Sequence, residues 1–263
     1  MIAYRSIISA RFRTLLQYRV AAIAGVGTQL FWGIIRMMVF TAFYESANGP
    51  VPMELDQVIT YIWLSQATLV LLPWNLDGDI HAMIREGAVA YELLRPVDLY
   101  SLWYCRAVAL RSAPMMLRFL PIYIIAFIFF DLQPPASVEH FFGWIVLTVG
   151  AVLVSSAITS LMNISMMWTI AGEGVARIMA AAVTIFAGLI IPLPLFPDWA
   201  QPVLQFMPFA AVMDTPIRMY CGDLSMSDLP WRLAHQIGWT VALVITGRYI
   251  LQRGLRKLVI AGG

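Results

Sequence analysis

Six apolar stretches alternate with polar connections along the chain, and this pattern predicts an all-α protein that crosses a membrane six times. A membrane-spanning helix needs about 20 mainly apolar residues, because a rise of about 1.5 Å per residue must cover a hydrocarbon core of about 30 Å. The second and third stretches are short, whereas the fourth is long enough that we expect it to be tilted or to protrude. The predicted spans are residues 20–44, 58–73, 114–130, 141–170, 175–196 and 230–250.

Basic residues alternate between the two sides of the predicted membrane. Arginines precede the first span, recur between the second and third spans, and follow the last. The connections at residues 45–57 and 131–140 contain no Lys or Arg and carry only carboxylates as charged groups. Because basic connections stay preferentially in the cytoplasm, we expect both termini to be cytoplasmic.

The segment before the first span, residues 1–19, predicts an amphipathic helix that lies in the membrane interface. Ile7, Phe12 and Leu15 recur at helical spacing, and arginines occupy positions between them. A solvated basic tail is the alternative, although the regular apolar positions argue against it.

The connection between residues 74 and 113 is longer than a simple link between helices requires. Its sequence predicts a short helix over residues 79–94, in which Asp79 caps the first amides and opposes the helix dipole. Ile80, Ile84 and Val89 would give this helix an apolar face before a stop at Arg95 and the following proline. A plain connector is the alternative.

Arg36 is an unusual residue, because it falls within the first predicted span. A lone arginine at this depth costs roughly 2.5–3.5 kcal/mol on insertion scales, so it needs a partner, a cavity or access to the headgroups. Glu45 and Asp131 are the nearest acidic candidates. Two roles for Arg36 are given equal weight: a structural arginine, or one that lines a translocation path. Ser156 and Asn163 of the fourth span are further path candidates, although the small and hydroxyl residues of that fourth span favour helix packing.

The segment after the fifth span is rich in proline and aromatic residues. It is too apolar to lie in water, yet its prolines prevent a regular spanning helix. We therefore expect short re-entrant helices over residues 197–216 that dip into the outer leaflet. The residues that define this outer gate are Pro197, Trp199, Pro208 and Phe209.

Composition excludes several classes of protein. A hydrophobic fraction of 60% and 12% charged residues do not suit a soluble domain. A net charge of +2 is too small to suggest binding to nucleic acid. The sequence has no metalloprotease motif, nucleophile elbow or P-loop, and its three histidines are scattered, so we expect no enzyme activity, metal or cofactor on this chain. Carboxylates hardly enter the spans, which argues against proton coupling and points to an energy source on another subunit.

Three stretches carry a resemblance to a known family. They are residues 84–96 (IREGAVAYELLRP), residues 192–209 (PLPLFPDWAQPVLQFMPF) and the basic tail that ends in Gly262 and Gly263. In these stretches and in its layout, the chain resembles the permease subunits of bacterial ATP-binding cassette (ABC) exporters of the type V, O-antigen-exporter-like class. It is most similar to the six-span branch that is often paired with a second permease.

The resemblance implies a subunit of the bacterial inner membrane that forms a path with an identical or homologous permease, in contact with lipid. ATP and Mg would be bound by a partner ATPase. The segment 79–94 would be the coupling helix, and residues 2–18 the interface helix. Carried over to this chain, the ATPase contacts would be Asp79, Ile80, Ile84, Arg85, Glu86 and Arg95, with a second contact at Glu173 and Arg177. An ATP-independent carrier or channel, or a membrane assembly factor, is the alternative function.

Overall fold

The computed structural model describes residues 2–17, 19–46, 51–168 and 173–256, and within these ranges it contains helices and no strands. Short 3-10 turns at Leu69–Leu71, Leu193–Leu195 and Met226–Asp228 join some of the helices. The helices are α1 (Ile2–Leu16), α2 (Arg19–Ser46), α3 (Leu55–Ala67), α4 (Gly78–Arg85), α5 (Val89–Leu93), α6 (Leu99–Phe129), α7 (Val138–Ser165), α8 (Glu173–Phe186), α9 (Gln201–Phe206), α10 (Asp214–Cys221) and α11 (Leu229–Leu255).

Three of the described helices are long and apolar enough to cross a membrane: α2 over Ala24–Ser46, α6 and α7. The central one is α7, which packs against α6, α10 and α11 and has most of its length buried. The outward faces of α2 and α6 carry exposed Phe, Met and Ile side chains instead. This distribution is typical of a bundle whose outer helices face lipid.

The other predicted spans coincide with helices that are shorter or more polar. α3 has 13 residues before its 3-10 turn, and α8 has 14, which is about 21 Å of helix against a core of about 30 Å. The irregular chain that follows α8 is partly buried within the protein, with Leu193 fully so. α11 has the length, but arginines near both of its ends reduce its apolarity. The structure thus supports the all-helical membrane class without establishing six crossings.

α6 extends much further than its predicted span. It begins at Leu99, so residues 99–113, which we assigned to a connection, are its first turns. Asp98 caps this start by accepting a hydrogen bond from the amide of Ser101 at 2.9 Å. Arg106 and Arg111 are consequently held on a rigid helix rather than in a loop.

The main core lies between α2, α3, α6, α7 and α10. Trp63 at its centre is fully buried and stacks on Phe130 with 4.7 Å between ring centroids. α2 approaches this tryptophan closely at Gly33, where an added Cβ would lie 2.5 Å from the indole ring. A second cluster gathers the end of α11, the end of α7, the start of α6 and the α4–α5 segment. We name this region the basic end, and the region that contains α9, α10 and the prolines the proline-rich end.

Candidate functional site

The helix start at the basic end is capped by Asp77, and not by Asp79 as the sequence suggested. Asp77 has an extended backbone, and its Oδ1 accepts hydrogen bonds from the amides of Asp79 at 3.0 Å and Ile80 at 3.4 Å. Asp79 already belongs to the first helical turn, where its carboxylate favours the positive end of the helix dipole. The first residue position before α4 is therefore fixed by a capping side chain, Asp77, which is buried in the protein.

Asp77 also ties α4 to three other helices, and we name this group the Asp77 clamp. Arg106 of α6 donates to both oxygens of Asp77 at 3.2 Å and to Asp79 at 2.8 Å. Arg11 of α1 reaches Asp79 at 2.8 Å, and the side-chain oxygen of Asn163 in α7 accepts the Asp77 amide hydrogen at 3.0 Å. The start of α4 is therefore bonded to α1, α6 and α7 at once.

Arg11 belongs to the packed side of α1, which its sequence pattern did not reveal. Ile7, Arg11 and Leu15 are all partly buried, whereas Arg5 and Arg13 are exposed. Only the partner carboxylates on α4, remote in sequence, explain why an arginine interrupts an apolar face.

A hydrophobic anchor lies beneath the clamp. Ile80 and Val89 are fully buried in the cluster with Leu99 and Trp103 of α6. The indole N–H of Trp103 donates to the buried carboxylate of Glu92 at 2.8 Å, so that this charge is also bonded to the start of α6. Ile80, which we expected to contact an ATPase, instead holds α4 to the protein.

The α4–α5 segment exposes apolar side chains at the end of α5 and charged side chains on α4 and after α5. Tyr91 is 75% exposed and Leu94 is 81% exposed, with Leu93 also exposed between them. Of the predicted contacts, Ile84 is half-buried, whereas Asp79, Arg85, Glu86 and Arg95 are exposed. We name Tyr91, Leu93 and Leu94 with their charged neighbours the coupling surface. The sequence analysis named Ile80 and Ile84 because their helical spacing defines an apolar face. Spacing alone does not show whether such a face packs on the protein itself or on a partner.

Asp98 links α1 and α11 to the start of α6. Its amide donates to the Tyr4 hydroxyl of α1 at 3.2 Å, and its carboxylate pairs with Arg248 of α11 at 3.2 Å. Partial burial raises the pKa of the Asp98 carboxyl, but hydrogen bonds from Ser101 and the charge of Arg248 outweigh this effect and lower the pKa. The carboxylate is thus stabilised in its charged form.

Arg111 satisfies the backbone where the chain leaves α3. Its guanidinium donates to the carbonyls of Val70, Leu72 and Asn75 at 2.8–3.3 Å and to the hydroxyl of Thr159 in α7 at 2.9 Å. These carbonyls lie beyond the end of α3, and of the three the Leu72 carbonyl also accepts the Trp74 amide hydrogen at 2.9 Å. Arg111 supplies further donors, because unsatisfied backbone is expensive at membrane depth. We had counted Arg111 only as a basic loop residue.

The other predicted ATPase contact lies at the start of α8. Glu173 is the first helical residue, and its side chain lies outside the described residues, as do residues 169–172 before it. Arg177 is exposed on the same helix. A contact role for this pair stays a prediction.

Arg36 lines a cavity of about 820 Å³ between α2, α3, α8 and the chain that follows α8, which we name the Arg36 cavity. The guanidinium donates to the Ser65 hydroxyl at 2.9 Å and to the Ile190 carbonyl at 3.3 Å. It therefore points across the bundle, neither to the headgroups nor to Glu45 or Asp131. The remaining lining residues are Trp32, Val39, Phe40, Phe43, Gln66, Leu69, Trp74, Thr184, Leu189, Ile191 and Leu195.

Ser156 and Asn163, the other candidates for a path, are fully buried and do not line this cavity. The Ser156 hydroxyl donates to the Val152 carbonyl of its own helix at 2.6 Å. Asn163 holds Asp77. Ser156 is thus used in helix packing and Asn163 in the clamp. The sequence alone could not distinguish these roles from contact with a transported substrate.

The proline-rich end combines exposed and deeply buried segments. Trp199 is 81% exposed and Pro197 is exposed, whereas Pro208 and Phe209 are half-buried. α10 is buried along nearly its whole length, and Asp214 at its start accepts a hydrogen bond from the Tyr61 hydroxyl of α3 at 3.0 Å. The same carboxylate accepts the Leu193 amide hydrogen at 3.3 Å and pairs with Arg218 at 3.5 Å. The sequence did not identify this network.

No curated protein and no solved structure gives a significant match to the chain. A family model described as "ABC-2 family transporter protein" matches residues 30–262, which is most of the chain. This match covers α3 to α11, and hence the coupling surface, the proline-rich end and every member of the Asp77 clamp except Arg11 of α1. With its long apolar helices, the chain belongs to the ABC-2 family of membrane transporter proteins.

Proposed function

We propose that this chain is the permease subunit of an ATP-driven exporter of the type V class, with the coupling surface as the site that receives a separate ATPase. Membership in the ABC-2 family implies such an ATPase partner. In this proposal α2, α3, α6, α7, α8 and α11 make six crossings, and α1 lies in the cytoplasmic interface. Both termini are cytoplasmic, and α9 and α10 are the re-entrant helices.

The observation that carries the proposal is the division of α4 and α5 into two faces. One face is attached to α1, α6 and α7 by the ion pairs and hydrogen bonds of Asp77, Asp79 and Glu92, and by the packing of Ile80. The other presents Tyr91 and Leu94 to the solvent without covering contacts from the described residues. Exposed apolar side chains rimmed by charges are typical of a protein interface. An element attached in this way can transmit the movement of a bound partner to the spans.

The complete transporter would contain two permeases, identical or homologous, and two ATPase subunits that bind ATP and Mg. Closure of the ATPases on ATP would shift α4 and α5, and the Asp77 clamp would pass this shift to α6 and α7. Substrate would enter from the cytoplasm or the inner leaflet and leave past the proline-rich end.

Co-purification with the cognate ATPase tests the coupling surface. We expect Leu94→Asp to abolish ATPase capture and stimulated ATP hydrolysis, because it places a charge on the most exposed apolar residue of the coupling surface. Val138→Asp is the matched control, since Val138 is 73% exposed at the opposite end of α7, where a carboxylate in the first turn is favourable. Retention of the ATPase by Leu94→Asp, or its loss in Val138→Asp, would show that the docking surface is wrongly placed.

A further inference from the structure

We propose that the Arg36 cavity binds an amphipathic anion from the membrane, with a single carboxylate on Arg36 and an apolar chain along α2. This inference deepens the proposed function, because it names the substrate class of the export path, and it rests on that function for the direction of movement. Binding itself requires only the permease.

The charge of Arg36 is the first argument. Ala24 and Ser46 bound the apolar part of α2, and Arg36 lies about 18 Å and 15 Å from these ends along the helix, near the middle of a membrane. Its two hydrogen-bond partners, a hydroxyl and a carbonyl, are neutral. No carboxylate of the described residues forms an ion pair with it, so an anionic ligand would supply the missing charge.

The lining of the cavity is the second argument. Gln66 contributes an amide to a mainly aromatic and aliphatic wall, and no Asp or Glu among the described residues lines the cavity. Aromatic walls alone would also suit a cation. Arg36 decides against a cation, because like charges in a poorly hydrated site repel strongly.

The shape of the cavity is the third argument. Trp32 and Phe43 lie at the two extremes of its α2 wall, about 16 Å apart along the helix axis. The volume of about 820 Å³ lies within the range of small-molecule sites, about 300–1,000 Å³. An elongated apolar groove of this size favours a single-tailed molecule over a two-tailed phospholipid.

Fluorescence polarisation of a tail-labelled long-chain carboxylate on the purified permease tests this site. We expect Arg36→Gln to weaken binding about ten- to hundredfold, because a charged hydrogen bond is replaced by a neutral one. Arg36→Lys should restore most of the affinity, and the long-chain alcohol of equal length should bind wild type and Arg36→Gln alike. Val39→Trp, which enlarges an exposed lining residue, should reduce binding of both molecules without disturbing the core.

Arg118→Gln is the matched control, since Arg118 is also an arginine inside a long apolar helix but lies outside the cavity, beside Gly25. Equal carboxylate binding by wild type and Arg36→Gln, or equal weakening by Arg118→Gln, would overturn the proposal. So would displacement of the probe by phosphatidylglycerol at equal concentration, or cross-linking of Val39→Cys to a second copy across the groove. ATPase capture by the same preparations shows separately whether the proposed function holds.

Discussion

A buried aspartate organises each end of this molecule, but the two are bonded in different ways. Asp77 at the basic end faces arginines from two other helices, α1 and α6. Asp214 at the proline-rich end has its arginine, Arg218, one turn along its own helix, and reaches other elements through the hydroxyl of Tyr61 and the amide of Leu193. Asp77 joins helices through ion pairs with arginines, whereas Asp214 joins other elements through hydrogen bonds from uncharged donors.

Exposure to solvent separates the two ends further. The clamp includes Asp79, whose side chain is 58% exposed, whereas the Asp223 side chain that also pairs with Arg218 is only 15% exposed. Exposed ion pairs contribute about 0–1 kcal/mol, while removal of one partner from a buried pair costs about 3–5 kcal/mol. The Asp79 pairs are therefore suited to rearrange under the force of a partner. The Asp77–Arg106 pair, with side chains 2% and 15% exposed, and the Asp214 network are suited to hold their shape.

Asp214→Ala should have the largest effect on stability. Arg218 keeps Asp223 as a partner, but the Tyr61 hydroxyl and the Leu193 amide lose their shared acceptor in a buried site, at a cost of about 3–5 kcal/mol. Thermal unfolding and yield of the detergent-solubilised protein measure this loss. Asp198→Ala, at an exposed position of the same end, should remain within about 0.5 kcal/mol of wild type. Equal stability of the two variants would refute the idea of a rigid proline-rich end.

Asp77→Ala should have an intermediate and local effect. It removes the cap of α4 and one acceptor of Arg106, and we expect amide hydrogen exchange in Gly78–Arg85 to accelerate about thirtyfold, equivalent to about 2 kcal/mol. Asp77→Asn keeps an oxygen for the cap and loses the charge, so it should give about half of this free-energy change. Unchanged exchange in α4 after Asp77→Ala would mean that the apolar anchor alone holds the helix.

Asp79→Asn should have the smallest effect, at most about 1 kcal/mol on the protection of α4, because the lost pairs with Arg11 and Arg106 are open to water. Hydrogen exchange at low and high salt measures it, and the difference from wild type should shrink as salt screens the pairs. If Asp79→Asn destabilised α4 as much as Asp77→Ala, the burial of Asp77 would not be what distinguishes them.

Several features of the fold could be predicted from the pattern of residues in the sequence. The all-helical membrane class followed from the apolar stretches, and membership of an ABC transporter permease family followed from motifs such as residues 84–96 and 192–209; both are confirmed. The helix start near Asp77–Asp79 was recognised from capping chemistry, although the capping residue was wrong by two positions. Local rules identify where a helix begins more easily than which of two aspartates faces inward.

Other features depended on contacts between remote segments. Nothing near Arg111 in sequence indicates that it caps the carbonyls of Val70, Leu72 and Asn75, since they lie about forty residues earlier on another element. Ile80 was taken for a contact residue, whereas its burial against Trp103 makes it an anchor. Ser156 and Asn163 were named as path candidates for the same reason, because a polar residue in a span has the same sequence signature whether it packs or binds.

The sequence by itself determined the membrane class, the helical content and the family of this chain, because hydropathy and helix capping act over a few residues. The tertiary structure alone decided which polar groups are bonded and which remain available. It placed Arg36 at a cavity that no carboxylate of the described residues lines, joined Asp77 to three helices, and left Tyr91 and Leu94 exposed. These outcomes depend on how helices remote in sequence pack together, because packing determines which charges are paired and which apolar side chains lose contact with solvent.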